Sequence, residues 1–201
     1  MSASRPTMLG AEGVTRLLLG RLYERLPEEV AVIREDAGVT EEDLPGIQEM
    51  RPYVPDVQTI ERWPSVFVTF VESNPVLGSG RLESSSPEAD HYRYRYRNRA
   101  YVFARGETQA QTDLRLKRYL LALRQALIRH KQLTEFESEG PHARIESTLR
   151  ETMSDVGLDP NSKRYIGGAY TEVDVITTEA LGPHLAADGA AETLAVHPAL
   201  M

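Results

Sequence analysis

Cysteine is absent from the 201 residues. That excludes disulfides, a thiolate nucleophile and thiolate-ligated metal centres. Histidine is scarce: His91, His130, His142, His184 and His197 are scattered, and no pair carries a glutamate at a zinc-site spacing. There is no GxxxxGK[ST] loop, no GxGxxG after an expected strand and no serine in GxSxG. No cofactor is therefore expected. Basic residues are the minority, 23 Lys and Arg against 30 Asp and Glu, for a net charge of -7. This argues against a general nucleic-acid coat but leaves room for a local basic strip. No run approaches the roughly 18 apolar residues of a membrane span, so none is expected. The first twenty residues, MSASRPTMLGAEGVTRLLLG, lack a secretory pattern.

What is present centres on His91 to Arg105, HYRYRYRNRAYVFAR. Tyr92, Tyr94 and Tyr96 alternate with Arg93, Arg95 and Arg97. A period of two is the strand period, and Tyr, Val and Phe favour strands. The spacing predicts a long strand with its rings toward a core and its guanidinium groups outward. The change of texture at Asn98-Arg99 marks a candidate bulge or bend. The cationic face suits a protein interface, a phosphate contact or plain solvation.

Around it the chain reads as one α+β domain over residues 11–178, with arms at 1–10 and 179–201. The fold expected is a small, mostly antiparallel sheet packed against a long helix and an N-terminal helix, with extended loops. A helix is predicted over 11–26, and a short second helix from Pro27, because a proline inside a helix loses a bond and clashes with the turn before it. Residues 34–62, with Pro45, Pro52 and Pro55, read as a proline-punctuated loop region, in which Thr40 and Asp43 resemble a capping box. WPSVFVTFVES predicts a strand from Ser65 to Glu72, apolar on both faces and so central. Residues 73–90 then form a long hairpin loop returning to the Tyr/Arg strand. Thr108, with Gln111 three residues on, caps a helix from about 109 to 130 or 133. Its stripe is Leu116, Tyr119, Leu120, Leu123, Ala126 and Leu127.

Residues 142–153 alternate weakly as a candidate third strand, with Ile145, Ser147, Leu149 and Glu151 on one face and a short helix as the rival. Arg164 to Thr177 predicts a clearer strand, in which Gly167-Gly168 permits a bulge or a close approach. From residue 179 the chain is Ala- and Leu-rich and reads as an arm.

Chemistry is sparse. Glu172 and Asp174 share a strand face at the spacing of a carboxylate pair, but an acidic outer face is the ordinary reading. With Glu179 they supply carboxylates that Arg93, Arg95 and Arg97 could meet, either across a contact between copies of the chain or across strands of one sheet. Tyr92, Tyr94 and Tyr96 are candidate stacking residues under the alternative of a nucleic-acid-binding module.

In order and texture the chain resembles the tail terminator and tail-completion (head-to-tail neck) proteins of long-tailed bacteriophages. The stretches that carry the resemblance are an N-terminal helix, WPSVFVTFVES, a long loop, HYRYRYRNRAYVFARG, the helix TQAQTDLRLKRYLLALRQALIRH and a last strand near GGAYTEVDVIT. It spans roughly residues 10–178. The resemblance implies a structural virion protein, not an enzyme. Its copies, six in the family, form a ring that ends the tail tube and meets the head-neck connector, with genomic DNA passing through the lumen without sequence-specific binding. It also implies a place in the virion, after assembly in the host cytoplasm. Arg93, Arg95, Arg97, Glu172 and Asp174 become candidate contacts between copies. Asn74, Leu77, Arg81 and Leu82, in or beside the hairpin loop, become candidate contacts to tube or connector. Another connector-layer ring is the alternative within the same class.

Overall fold

A computed structural model describes residues 9–76, 90–134 and 142–181; the side chains of residues 90, 91, 180 and 181 are not among those described. Helix α1 spans Gly10–Ala37, strand β1 Glu49–Arg51, β2 Ser65–Pro75, β3 Asp90–Gly106, helix α2 Gln109–Arg129, β4 His142–Met153, β5 Gly157–Asp159 and β6 Arg164–Leu181. The strands form one sheet in the order β1-β2-β3-β6-β4, and β5 pairs with the start of β6. Every pairing is antiparallel except β1 with β2. This is the expected α+β architecture, with both helices on one face of the sheet.

Helix α1 differs from expectation. It runs unbroken through Pro27 to Ala37, where Gly38 adopts a left-handed conformation (φ 60°) and closes the last turn. Leu18, Leu22, Leu26, Val30 and Ile33 form one buried stripe on both sides of the proline. Each such side chain contributes roughly 1.5–3 kcal/mol when buried, against about 3 kcal/mol for an interior proline. Burial of the stripe therefore outweighs the lost bond. Glu29, two residues beyond the proline, is buried and accepts two hydrogen bonds from Arg129 at 3.1 and 3.0 Å, tying α1 to α2.

Helix α2 begins as its sequence dictates. Thr108 accepts a hydrogen bond from the Gln111 amide at 3.1 Å, and the Gln111 side chain accepts from the Glu107 amide at 2.8 Å. The buried stripe contains every residue expected of it. Arg115 and Tyr119 fasten the loop after α1: Arg115 donates to the carbonyls of Glu42, Asp43 and Arg105, and the Tyr119 hydroxyl donates to Pro45 at 2.6 Å.

The loop region 34–62 holds three elements that the proline spacing hid, one of them a single 3-10 turn at Val57–Thr59. The last turn of α1 occupies its start, and Glu49–Arg51 adds the parallel strand β1 against Ser65–Phe67. Thr40 and Asp43 do bond reciprocally, but in a turn. Strand β2 is longer than expected and takes in Ser73–Pro75, while Val66, Phe67 and Val68 are fully buried.

The irregularity expected at Asn98-Arg99 lies on the neighbouring strand. Strand β3 pairs with β6 without a shift from Asp90–Leu181 to Gly106–Tyr165. Strand β2 shifts between Phe70 and Glu72, opposite Asn98 and Arg97, with Val71 as the extra residue. Strand β4 shifts twice, at Ile145/Ser147 and Thr148/Glu151, so Ile145 and Ser147 do not share a face as simple alternation would have it. Strand β6 extends to Leu181, past the expected domain boundary at 178. Gly167 and Gly168 carry no bulge. They allow close approach, because a Cβ would stand 2.7 Å from Leu116 at Gly167 and 2.7 Å from the Phe103 ring at Gly168.

Replacing Pro27 tests the account of α1. Pro27→Ala restores an amide that can bond the turn before it, and should raise stability by about 1–3 kcal/mol in urea unfolding. Unchanged or lower stability would show that the helix is built around the proline.

Candidate interaction surface

The two faces of the sheet differ because β3 and β6 keep one register over their whole length. Even-numbered residues of β3 face the helices: Tyr96, Asn98, Ala100, Val102 and Ala104 are all buried. Odd-numbered residues lie on the open face, which neither helix covers. There Arg93, Arg95, Arg97 and Arg99 stand opposite Thr178, Ile176, Asp174 and Glu172 of β6.

Three arginines of this strip, Arg95, Arg97 and Arg99, are occupied within the chain. Arg97 donates to Asp174 at 3.1 Å and pairs with Glu72 at 2.9 Å. Arg99 donates to Glu172 at 2.9 Å, and its guanidinium lies 5.0 Å from the centre of the Tyr170 ring. Arg95 donates to Glu146 of β4 at 3.1 Å and comes within 3.7 Å of Asp174. The hydrogen bond and charge of Asp174 raise Arg97 above the ordinary guanidinium value, and those of Glu172 contribute to the same shift at Arg99. Of the two arrangements open at the sequence level, the chain itself forms the cross-strand one. Glu72 and Glu146 were missed as partners because their strands are bulged, and counting in twos fails across a bulge.

Glu179 corrects the sequence reading. It does not join Glu172 and Asp174 on the open face but lies on the helix side, 1% exposed. Its Oε1 accepts hydrogen bonds from the Tyr96 hydroxyl at 3.0 Å and from Thr177 at 2.8 Å, and its Oε2 is buried without a hydrogen-bond partner. The signal was available, since Glu179 has the parity of Val173 and Val175. Burial, then the adjacent Glu179 charge, pushes the Tyr96 phenol well above its ordinary value. Burial does the same at Tyr119.

Of the three tyrosines, Tyr96 is packed rather than displayed. Tyr96 is 6% exposed, and its ring neighbours Tyr94 at 6.1 Å and Phe70 at 6.4 Å. Tyr92 is half-buried. The covered Tyr96 ring cannot stack on a base, and arginines engaged by carboxylates are poorly placed to take phosphates. Asn74 is exposed on β2, opposite Arg95. Leu77, Arg81 and Leu82 lie outside the described residues.

Both long edges of the sheet are open among the described residues. Strand β1 covers only Ser65–Phe67 of β2, leaving Thr69–Pro75 without a partner on that side. The backbone of residues 131–133 bonds to β4 at Ala143–Ile145, and the Lys131 ammonium donates to the Glu146 carbonyl at 3.5 Å. Exposed apolar side chains stand at these edges: Phe70 and Val71 on β2, Leu149 on β4. Among the described residues, no group of three or more His, Asp or Glu is placed to hold a metal ion, and no helix is long and apolar enough to cross a membrane. Compared with known proteins, the chain matches no family model and no curated protein.

The tyrosine environment sets an alkaline limit on stability. Above about pH 10 the unfolded chain releases its phenolic protons while Tyr96 and Tyr119 in the fold retain theirs. The folded state then binds more protons, so stability falls as pH rises, by about 1.4 kcal/mol per pH unit for each such tyrosine. Urea unfolding between pH 9 and 11.5 should show this slope, and Tyr119→Phe should remove part of it. Tyr96→Phe should also cost about 1–3 kcal/mol at pH 7, by leaving buried Glu179 with one donor fewer.

Proposed function

We propose that the protein is a structural virion component whose copies close into a ring, six in the favoured reading, at the end of a bacteriophage tail tube. In this reading it meets the tail tube protein on one side and the head-neck connector on the other. One observation carries the ring: among the described residues the sheet has two open edges that run in opposite senses. Strand β2 runs antiparallel to β3, and β4 runs parallel to β3. Rotation about an axis along the strands brings β2 of one copy beside β4 of the next as an antiparallel pair. That contact joins unlike surfaces, the geometry that produces closed rings, and it would satisfy backbone groups that an isolated edge leaves to water. Phe70, Val71 and Leu149 would be covered by it.

The ion pairs of Arg95, Arg97 and Arg99 fit the same reading. They balance the positive charge in the middle of the open face, and a chain of net charge -7 would let DNA pass through a lumen without gripping it. Asn74 is the described part of the candidate contact to tube or connector. The protein would assemble in the host cytoplasm and remain in the virion.

Negative-stain imaging and native mass of the purified chain, alone and with tail tubes, test the proposal. Closed rings of uniform diameter, or caps on tube ends, are expected. Leu149→Glu should abolish rings while leaving the thermal midpoint of the monomer within a few degrees, because the side chain is exposed in the single chain. A particle that stays monomeric at all concentrations and never caps a tube would overturn the reading.

A further inference from the structure

A groove of about 590 Å3 lies at the Arg105 end of the open face, between the Asp56–Trp63 loop and the Gly157–Asn161 hairpin. It lies in the size range of ligand pockets. Its floor is the Phe103 ring laid over Gly168, where a Cβ would come within 2.7 Å of the ring. Phe103 is held from the side by Tyr101 at 6.3 Å and Phe67 at 5.8 Å. One wall is Ile60 and Trp63, with the indole fixed by its hydrogen bond to the Ile60 carbonyl at 2.8 Å. The opposite rim carries Leu158, which is 57% exposed and so stands in water with its apolar surface uncovered.

The charged lining is unbalanced. Asp56, Asp155 and Asp159 line the groove against one cation, Arg105, whose guanidinium lies 5.7 Å from the centre of the Trp63 ring. Hydrogen bonds from Ser162 and Asn161 lower the Asp159 carboxyl below its ordinary value, so it is ionised at neutral pH. Asp56 accepts from the Gln58 amide at 3.0 Å. An apolar slot rimmed by carboxylates repels nucleic acid and anionic lipid, and favours an apolar side chain with cationic neighbours.

We propose that this groove docks an extended segment of a partner protein that presents one apolar side chain between basic residues. The apolar side chain enters over Phe103 and covers Leu158, and the basic residues meet Asp56 on one side and Asp155 and Asp159 on the other. The proposal does not rest on ring formation, because the groove is complete within a single copy.

Trp63 is the only tryptophan in the chain and reports directly on the groove. The full chain is titrated with N-acetyl-Lys-Leu-Lys-amide while indole emission is followed. A saturable shift is expected, at least about tenfold tighter than with N-acetyl-Lys-Ser-Lys-amide or N-acetyl-Glu-Leu-Glu-amide. The double variant Asp56→Asn, Asp155→Asn should weaken binding about three- to tenfold and flatten its salt dependence. Both side chains are exposed, so an unchanged circular dichroism spectrum is the check on folding. No saturable shift would overturn the proposal. So would equal binding of the serine peptide, which would mean charge attraction alone, or of the glutamate peptide, which would mean no charge selection.

Discussion

The register between β3 and β6 is the constraint on which the rest depends. Seventeen consecutive residue pairs, from Asp90–Leu181 to Gly106–Tyr165, align without a shift. A slip by one residue would move every side chain of one strand to the wrong face. Arg97 would lose Asp174, Arg99 would lose Glu172, and the Phe103 ring would no longer lie on Gly168. The buried carboxylate of Glu179 would turn out to the open face, away from the Tyr96 hydroxyl. Burial, ion pairing and ring packing all favour the same alignment, and that agreement makes the pairing specific.

The same ladder separates the two faces by chemistry. The helix side is apolar, closed by α1 and α2, with polar insertions such as Asn98 and Glu179 held by nearby hydroxyls. The open side is a mixture of aromatic rings and half-buried ion pairs. Such a face tolerates water and is also suited to partial covering. Its charges are balanced where Arg95, Arg97 and Arg99 face carboxylates, and the lining of the groove at the Arg105 end is unbalanced toward negative. Surface recognition, if it follows charge, is therefore local: neutral along the middle of the strand and acidic at one end.

Much of the fold was legible in the chain. The Tyr/Arg alternation, the apolar core of β2, the Thr108 cap and the stripe of α2 each state one period clearly. Where the reading failed, two local signals competed and a distant contact decided between them. Pro27 argued for a break, but the leucine stripe on both sides of it is buried against the sheet and α2. Ile145 and Ser147 looked like neighbours on one face until the bulges of β4 intervened. Strand β1 is three residues long among prolines, and only its pairing with Ser65–Phe67 makes it a strand.

The candidate surface divides in the same way. The amino-acid order by itself determined the two-residue alternation of β3 and β6, and hence which side chains share a face, because that parity is a property of extended backbone. It also excluded thiol chemistry, since no cysteine is present. Only the tertiary structure decided which strand lies beside which. That choice turned the arginines toward carboxylates of the same chain, buried Glu179, and opened a groove between two loops nearly a hundred residues apart in sequence. Such contacts depend on the burial and hydrogen bonding of many distant groups at once, and no local period encodes them.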